Sequence, residues 1–219
     1  MDFFEVVDTQ RAIRRFRGEP VGDEVLARVL SAATRAPSAR GAEPWGFVVV
    51  RDPGRRAAIA SLYRQAWEAA DAFTRATDAD RDVRDRPHYT RMMTAAGRLA
   101  TTLADAPVLI VCCLDHAQLG PIAGPDGALR SPVAAYASIL PAVQNLCLAA
   151  RALGLGTTLT TLHTAFEPQL KALLASPPTV EPVALVPLGW PSDRFRPTRR
   201  RPVSEVAYLD AWGAPLLMH

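Results

Sequence analysis

Lysine is nearly absent from this chain: Lys171 stands alone among 25 basic residues, all the others being arginine. The arginines are interspersed with 22 carboxylates, which leaves a formal charge of only +3. This excludes a nucleic-acid footprint, which needs a basic stripe and usually exposed aromatics. Anion contacts must come from local guanidinium clusters instead. Cysteine is scarce too. Cys112, Cys113 and Cys147 are odd in number, lie in apolar surroundings and form no CxxC pair, so reduced core thiols are expected rather than a disulfide framework. His88, His116, His163 and His219 are too scattered for a metal cluster, and no metal is expected. The opening MDFFEVVDTQ is acidic where a signal peptide has a basic region ahead of an apolar run. The longest apolar stretches are shorter than a membrane span. A cytoplasmic protein with no membrane or nucleic-acid partner is the expectation.

What is present is enough apolar residue, 49% of 219, to bury one large core. Apolar spacing predicts an opening helix through Phe3, Phe4, Val6 and Val7, and a second over 22–35 with Val25, Leu26, Val29, Leu30 and Ala33 on one face. The runs GFVVV (46–50), VLIVCCL (108–114) and VALVPL (183–188) read as strands buried on both faces. Residues 132–155 are apolar almost all the way round, as in a helix covered on several sides, by its own sheet and by a second subunit. The charge-rich segment 64–104 reads as a mobile helical lid, and 117–130, rich in Gly and Pro, as a loop. The tail over 203–219 has large apolar residues and no helical repeat, which fits an arm lying across a partner subunit. With no repeat or linker visible, residues 1–219 are taken as one α+β domain.

Four separated segments could meet a planar, anionic ligand. The first, Gln10-Arg11-Ala12-Ile13-Arg14-Arg15-Phe16, leaves a helix as an extended strand, and strand alternation sends Arg11, Ile13 and Arg15 one way and Arg14 the other. A fixed guanidinium here matches a phosphate bidentately. The second, Ala36 to Trp45, passes through small residues that let a flat ring approach backbone amides. The third, Gly154 to His163, stops the long helix with glycine and then offers four threonine hydroxyls. The fourth is the arginine-rich run from Arg196 to Pro202. Ser38 has no His/Asp partners for hydrolytic chemistry.

In this order and spacing, RAIRRF, APSxxxxEPW before a valine strand, LGLGTTLTT after the long helix, and LGWP followed by arginines, the chain resembles the nitroreductase superfamily over nearly its whole length. The resemblance implies an α+β sandwich with a central mixed sheet flanked by helices and an obligate homodimer with two sites at the interface. It also implies non-covalent FMN, with NAD(P)H as electron donor and a small-molecule acceptor reduced in a ping-pong cycle. Carried over by position, Arg11 resembles the phosphate-binding basic residue and Ala12 its neighbour. Arg14 resembles the residue beside flavin N1 and the C2 carbonyl, and is the one expected to tune the chemistry. Arg200 resembles a late phosphate-binding arginine. Pro37, Ser38 and Ala39 match the stretch that meets the ring from the other subunit, and Thr158, Leu159, Thr160 and Thr161 match the strand at the other ring edge and N5.

The pattern departs from the family at four places. Gln10 and Ala12 replace a common arginine and serine, which thins the phosphate shell and motivates a rival reading as a flavin-sequestering protein with little turnover. Gly41 and Glu43 stand where Asn and Gln are usual. Glutamate there also occurs in the reductive dehalogenase branch, so dehalogenation or another specialised flavin reaction is the enzymatic alternative. A deazaflavin in place of FMN presents the same tricyclic ring and phosphate chain.

Overall fold

The three runs expected as doubly buried strands all join one sheet in the computed structural model, which describes residues 1–77, 86–119 and 133–216; VLIVCCL and VALVPL lie in its middle, while GFVVV, expected there too, forms an edge strand that is only half-buried up to Val50. They are β1 (Trp45–Val50), β2 (Val108–Asp115) and β4 (Val180–Gly189), with a two-residue β3 (Gly156–Thr157) at the edge. Strand order is β1-β2-β4-β3. All three pairings are antiparallel, with Val48 opposite Val111 and Val111 opposite Leu185. A mixed sheet is expected from the sequence. The parallel component among the described residues is one isolated bridge between Ala12 and Thr157, because the chain near residue 12 touches the sheet edge without running along it.

β2 sorts the core. Alternate residues of a strand point to opposite faces, so Ile110, Cys112 and Leu114 join one buried cluster while Leu109, Val111 and Cys113 join the other. The first cluster is roofed by α2 (Asp23–Ala33) and α6 (Val133–Ala152), through Val29, Ala33, Ile139, Val143 and Leu146. The second is roofed by α3 (Pro53–Thr77), α4 (Arg86–Thr102) and α7 (Glu167–Leu174), through Ile59, Tyr63, Leu99 and Leu170. Each fully buried Leu or Ile contributes about 1.5–3 kcal/mol, so a strand with seven consecutive buried residues anchors both layers. The three cysteines are free and buried, as expected.

α1 (Phe3–Thr9) starts at Asp2, whose carboxylate accepts from the Phe4 and Glu5 amides. It buries only Val6 and leaves Phe3 and Phe4 64% and 72% exposed. The four-residue α5 (His116–Leu119) opens the region expected as a loop, most of which lies outside the described residues. By length and composition α6 could cross a membrane, where the sequence reading finds the apolar runs too short. Here it packs on α2 and the sheet as a core helix. It ends where Gly154 takes φ +83°, the glycine stop expected there. The segment expected as a lid is helical, but its inner face belongs to the core: Leu99 and Ala100 are buried, and the Trp67 indole packs on Gly97, where a Cβ would meet Nε1 at 3.2 Å. Residues 78–85, at the centre of that segment, lie outside the described residues.

Candidate active site

The first arginine segment enters the fold through Ile13. Its side chain is 2% exposed, and its amide donates to Thr157 O at 2.8 Å. Thr158 Oγ1 in turn donates to Ile13 O at 2.5 Å. The two backbones come this close because residue 156 is glycine; a Cβ there would stand 2.6 Å from Ile13 Cγ2. Gly156→Ala is therefore expected to destabilise the fold by about 1–3 kcal/mol, the usual range for an overpacked core. Urea denaturation measures this, and trimming the obstacle with Ile13→Val should recover part of the loss.

Burying Ile13 overrides simple alternation. Among the described residues this segment meets the sheet through single bridges, Ala12 to Thr157 and Phe16 to Pro191, and Ile13 is buried while Arg11 and Arg15 are exposed, so the even alternation of a regular strand is not kept. Arg15 turns to the surface and grips both carboxylate oxygens of Asp193. Arg11 and Arg14 instead line one cavity of about 270 Å³ together with Asp193, Arg194 and Arg196. Arg14 also lines an adjoining cavity of about 320 Å³, whose walls include Tyr63, Trp67 and Leu99 as well as Thr158, Leu159, Thr160 and Thr161. The threonine segment reaches the site without being the strand expected. β3 stops at Thr157, and Thr160 returns to the sheet as an isolated bridge to Leu185, with both backbone bonds formed at 3.0 and 2.9 Å.

One buried cation aligns the two arginine-bearing segments. Arg151, near the end of α6 and 7% exposed, donates from Nε to Thr9 Oγ1 at 2.9 Å. Its guanidinium lies 4.0 Å from the centre of the Phe195 ring. Thr9 immediately precedes the first segment and Phe195 lies between Arg194 and Arg196, so a single side chain spaces both walls of the smaller cavity.

The electrostatics of the pair of cavities are one-sided. Burial lowers the Arg14 pKa below its ordinary value; Tyr63 pulls it back up and Arg11 lowers it further. Arginine stays charged regardless, and among the described residues no carboxylate pairs with Arg14. Asp193, the carboxylate at this pole, is already held by Arg15, which lowers its pKa. Half-buried, unpaired charge of this kind clusters at functional sites. The Tyr63 phenol shares a 3.0 Å hydrogen bond with Thr160 Oγ1. Burial raises its pKa, while the bond to Thr160 and the Arg14 charge oppose that rise.

Of the residues assigned from sequence, Arg11, Ala12, Arg14, Thr158, Leu159, Thr160 and Thr161 are brought together around these cavities. Pro37, Ser38 and Ala39 are not. They sit over α6, where the Ala39 amide donates to Ser138 Oγ and Ser38 Oγ accepts from the Glu43 amide, both at 3.0 Å. Arg40, Gly41 and Glu43 take positive φ in this loop. Arg200 lines neither cavity; its guanidinium donates to Arg199 O at 3.0 Å. Sequence reasoning missed Tyr63, Trp67 and Arg194, and it placed Arg196 in a site-bearing run without singling it out.

Residues 7–190 match the model of the nitroreductase family, and the chain belongs to that family. It is 32% identical over 189 residues to 5,6-dimethylbenzimidazole synthase of Rhodospirillum rubrum, spanning 84% of this chain and 79% of that protein. Over 196 residues it is 31% identical to iodotyrosine deiodinase 1 of Rattus norvegicus, spanning 87% of this chain and 62% of that one. Among solved structures, oxidized iodotyrosine deiodinase bound to FMN and 3-iodo-L-tyrosine superposes with a TM-score of 0.71. That likeness covers 96% of this chain and 99% of the other at 22% identity, and is one of fold.

Proposed function

We propose that this chain is an FMN-dependent oxidoreductase, working as a homodimer that takes electrons from NAD(P)H and delivers them to a small conjugated acceptor such as a nitroaromatic or a quinone. The observation that carries the reading is Arg14, half-buried, charged and without a carboxylate partner among the described residues, at the junction of two adjoining cavities. The donor set fits the cofactor. Arg11, Arg194 and Arg196 surround the smaller cavity, where a phosphate dianion would replace the missing counter-charge. The larger cavity has aromatic walls from Tyr63 and Trp67 and a rim of threonine hydroxyls, suited to a flat heteroaromatic ring. When bound, FMN supplies the exchange of two electrons with donor and acceptor in turn. The protein binds the phosphate, holds a positive charge against the ring and screens one face of it from water.

A dimer gives Pro37, Ser38 and Ala39 a role they lack within one chain, as a wall contributed to the partner's cavity. It also gives cover to surfaces that a monomer leaves in water, among them Phe3, Phe4, Leu140 and a Trp212 that is 91% exposed. The test is titration of the purified chain with FMN, followed by light scattering and NAD(P)H oxidation with menadione or nitrofurazone. One FMN per chain, a mass about twice 23.7 kDa and turnover with either acceptor are expected; a chain that retains no FMN after desalting refutes the reading.

The likeness to iodotyrosine deiodinase over 87% of the chain favours a second reading, reductive dehalogenation. It replaces the first if a halophenol reoxidises the reduced holoprotein anaerobically faster than nitrofurazone or menadione does.

A further inference from the structure

Tyr63 was assigned no role by its place in the sequence, yet its buried side chain lines the larger cavity. It sits on α3 with 3% of its surface exposed, and its hydroxyl is spent on Thr160 Oγ1 at 3.0 Å. Both residues line the larger cavity beside Arg14. Two hydroxyls carry two hydrogens, and the single bond between them uses one. The other has to point somewhere.

The chemistry of the pair decides which. A phenol is far more acidic than an aliphatic hydroxyl and is the stronger donor of the two. The phenol hydrogen is therefore directed to Thr160. Thr160 Oγ1 therefore accepts from Tyr63, and it also lies 3.4 Å from the Leu162 amide as a second acceptor contact. With both lone pairs engaged, the Thr160 hydroxyl has one freedom left, its own hydrogen, and the open side of Thr160 is the cavity. Trp67, one turn along α3, packs on Gly97 of α4 and locks the helix that carries Tyr63.

We propose that Tyr63 is a positioning residue: it fixes the Thr160 hydroxyl as a hydrogen-bond donor aimed into the cavity, towards an acceptor atom on the edge of the FMN ring. This rests on the FMN reading above and extends it to a residue outside the assigned set. The role differs from simple packing because it passes through one hydroxyl. Removing the phenol oxygen matters only while Thr160 keeps its own.

The test is a double-mutant cycle read on the bound FMN by affinity and midpoint potential. Tyr63→Phe should keep FMN affinity within about threefold and change the ratio of affinities for reduced and oxidised FMN about fivefold. At about 30 mV per tenfold for a two-electron couple, this is a shift of roughly 20 mV. Thr160→Val should shift the potential in the same direction and by more, the double variant should match Thr160→Val alone, and Thr160→Ser, which keeps the hydroxyl, should hold the wild-type value. If the wild-type chain binds no FMN, the cofactor reading falls and this role with it. If it binds FMN but Tyr63→Phe leaves the potential unchanged, or the Tyr63 shift persists in the Thr160→Val background, the Tyr63 assignment alone is overturned.

Discussion

Replacing Arg11 with alanine is expected to weaken FMN binding by about tenfold or more while leaving riboflavin, which lacks the phosphate, nearly unaffected. Arg11 lines the smaller cavity with Arg194 and Arg196, and the carboxylate in the same lining, Asp193, is occupied by Arg15. A charge-assisted contact is worth about 1.5–3 kcal/mol, or roughly ten- to hundredfold in affinity. Arg11 is exposed, so solvent screening places the effect nearer the lower end, and raising the salt concentration should shrink it. Fluorescence titration with the two flavins measures it, and equal weakening for both would remove Arg11 from the phosphate. Arg196→Ala and Arg200→Ala belong in the same assay. A phosphate-dependent loss in the second supports the assignment made by resemblance, whereas no loss leaves Arg194 and Arg196 as the late arginines of the site.

Arg14→Ala is expected to lower the midpoint potential of bound FMN by about 30–60 mV. Two-electron reduction adds negative charge to the ring, and a guanidinium beside it favours the reduced form over the oxidised one. A differential contact of about 1.5–3 kcal/mol converts at roughly 30 mV per 1.4 kcal/mol for a two-electron couple. Partial burial strengthens the field of Arg14, because its surroundings screen the charge less than bulk water does. Arg11→Ala, acting at the phosphate pole, should change affinity with far less change in potential, so the two variants separate binding from tuning. Redox titration against a dye of known potential measures the shift. An unchanged midpoint in Arg14→Ala would sink the tuning role while leaving the phosphate pole intact.

The sheet was legible because its central strands are buried on both faces, and a continuous run such as VLIVCCL has few other ways to be satisfied. The long helix was legible for the same reason. Sequence resemblance, rather than periodicity, picked out Arg11, Arg14 and the threonines, since a basic strand or a threonine run is by itself an ordinary surface. Periodicity failed where backbone pairing is thin: the segment around Ile13 and the stretch after Thr157 touch the sheet through single bridges, so neither obeys a period of two. Tyr63 was hidden because a tyrosine on the apolar face of a helix looks like core, which it also is. That part of the charged segment from 64 to 104 belongs to the core was hidden because composition averages over its helices, and the buried stripe holding Leu99 and Ala100 is diluted by a solvated face.

The Arg15–Asp193 clasp joins positions 178 residues apart, and the same two stretches supply all four arginines of the smaller cavity. Protein synthesis delivers the chain from its N-terminus at about 5–20 residues per second, so Arg11 and Arg14 wait roughly ten seconds or more for their counterparts. On the proposed reading the anion pocket is incomplete on the ribosome until Arg194 and Arg196 have emerged. Loading of a phosphate-bearing cofactor would then wait for chains that extend past Arg196, and a truncated product ending before Asp193 would retain the sheet's sequence but not the late arginines of this cavity.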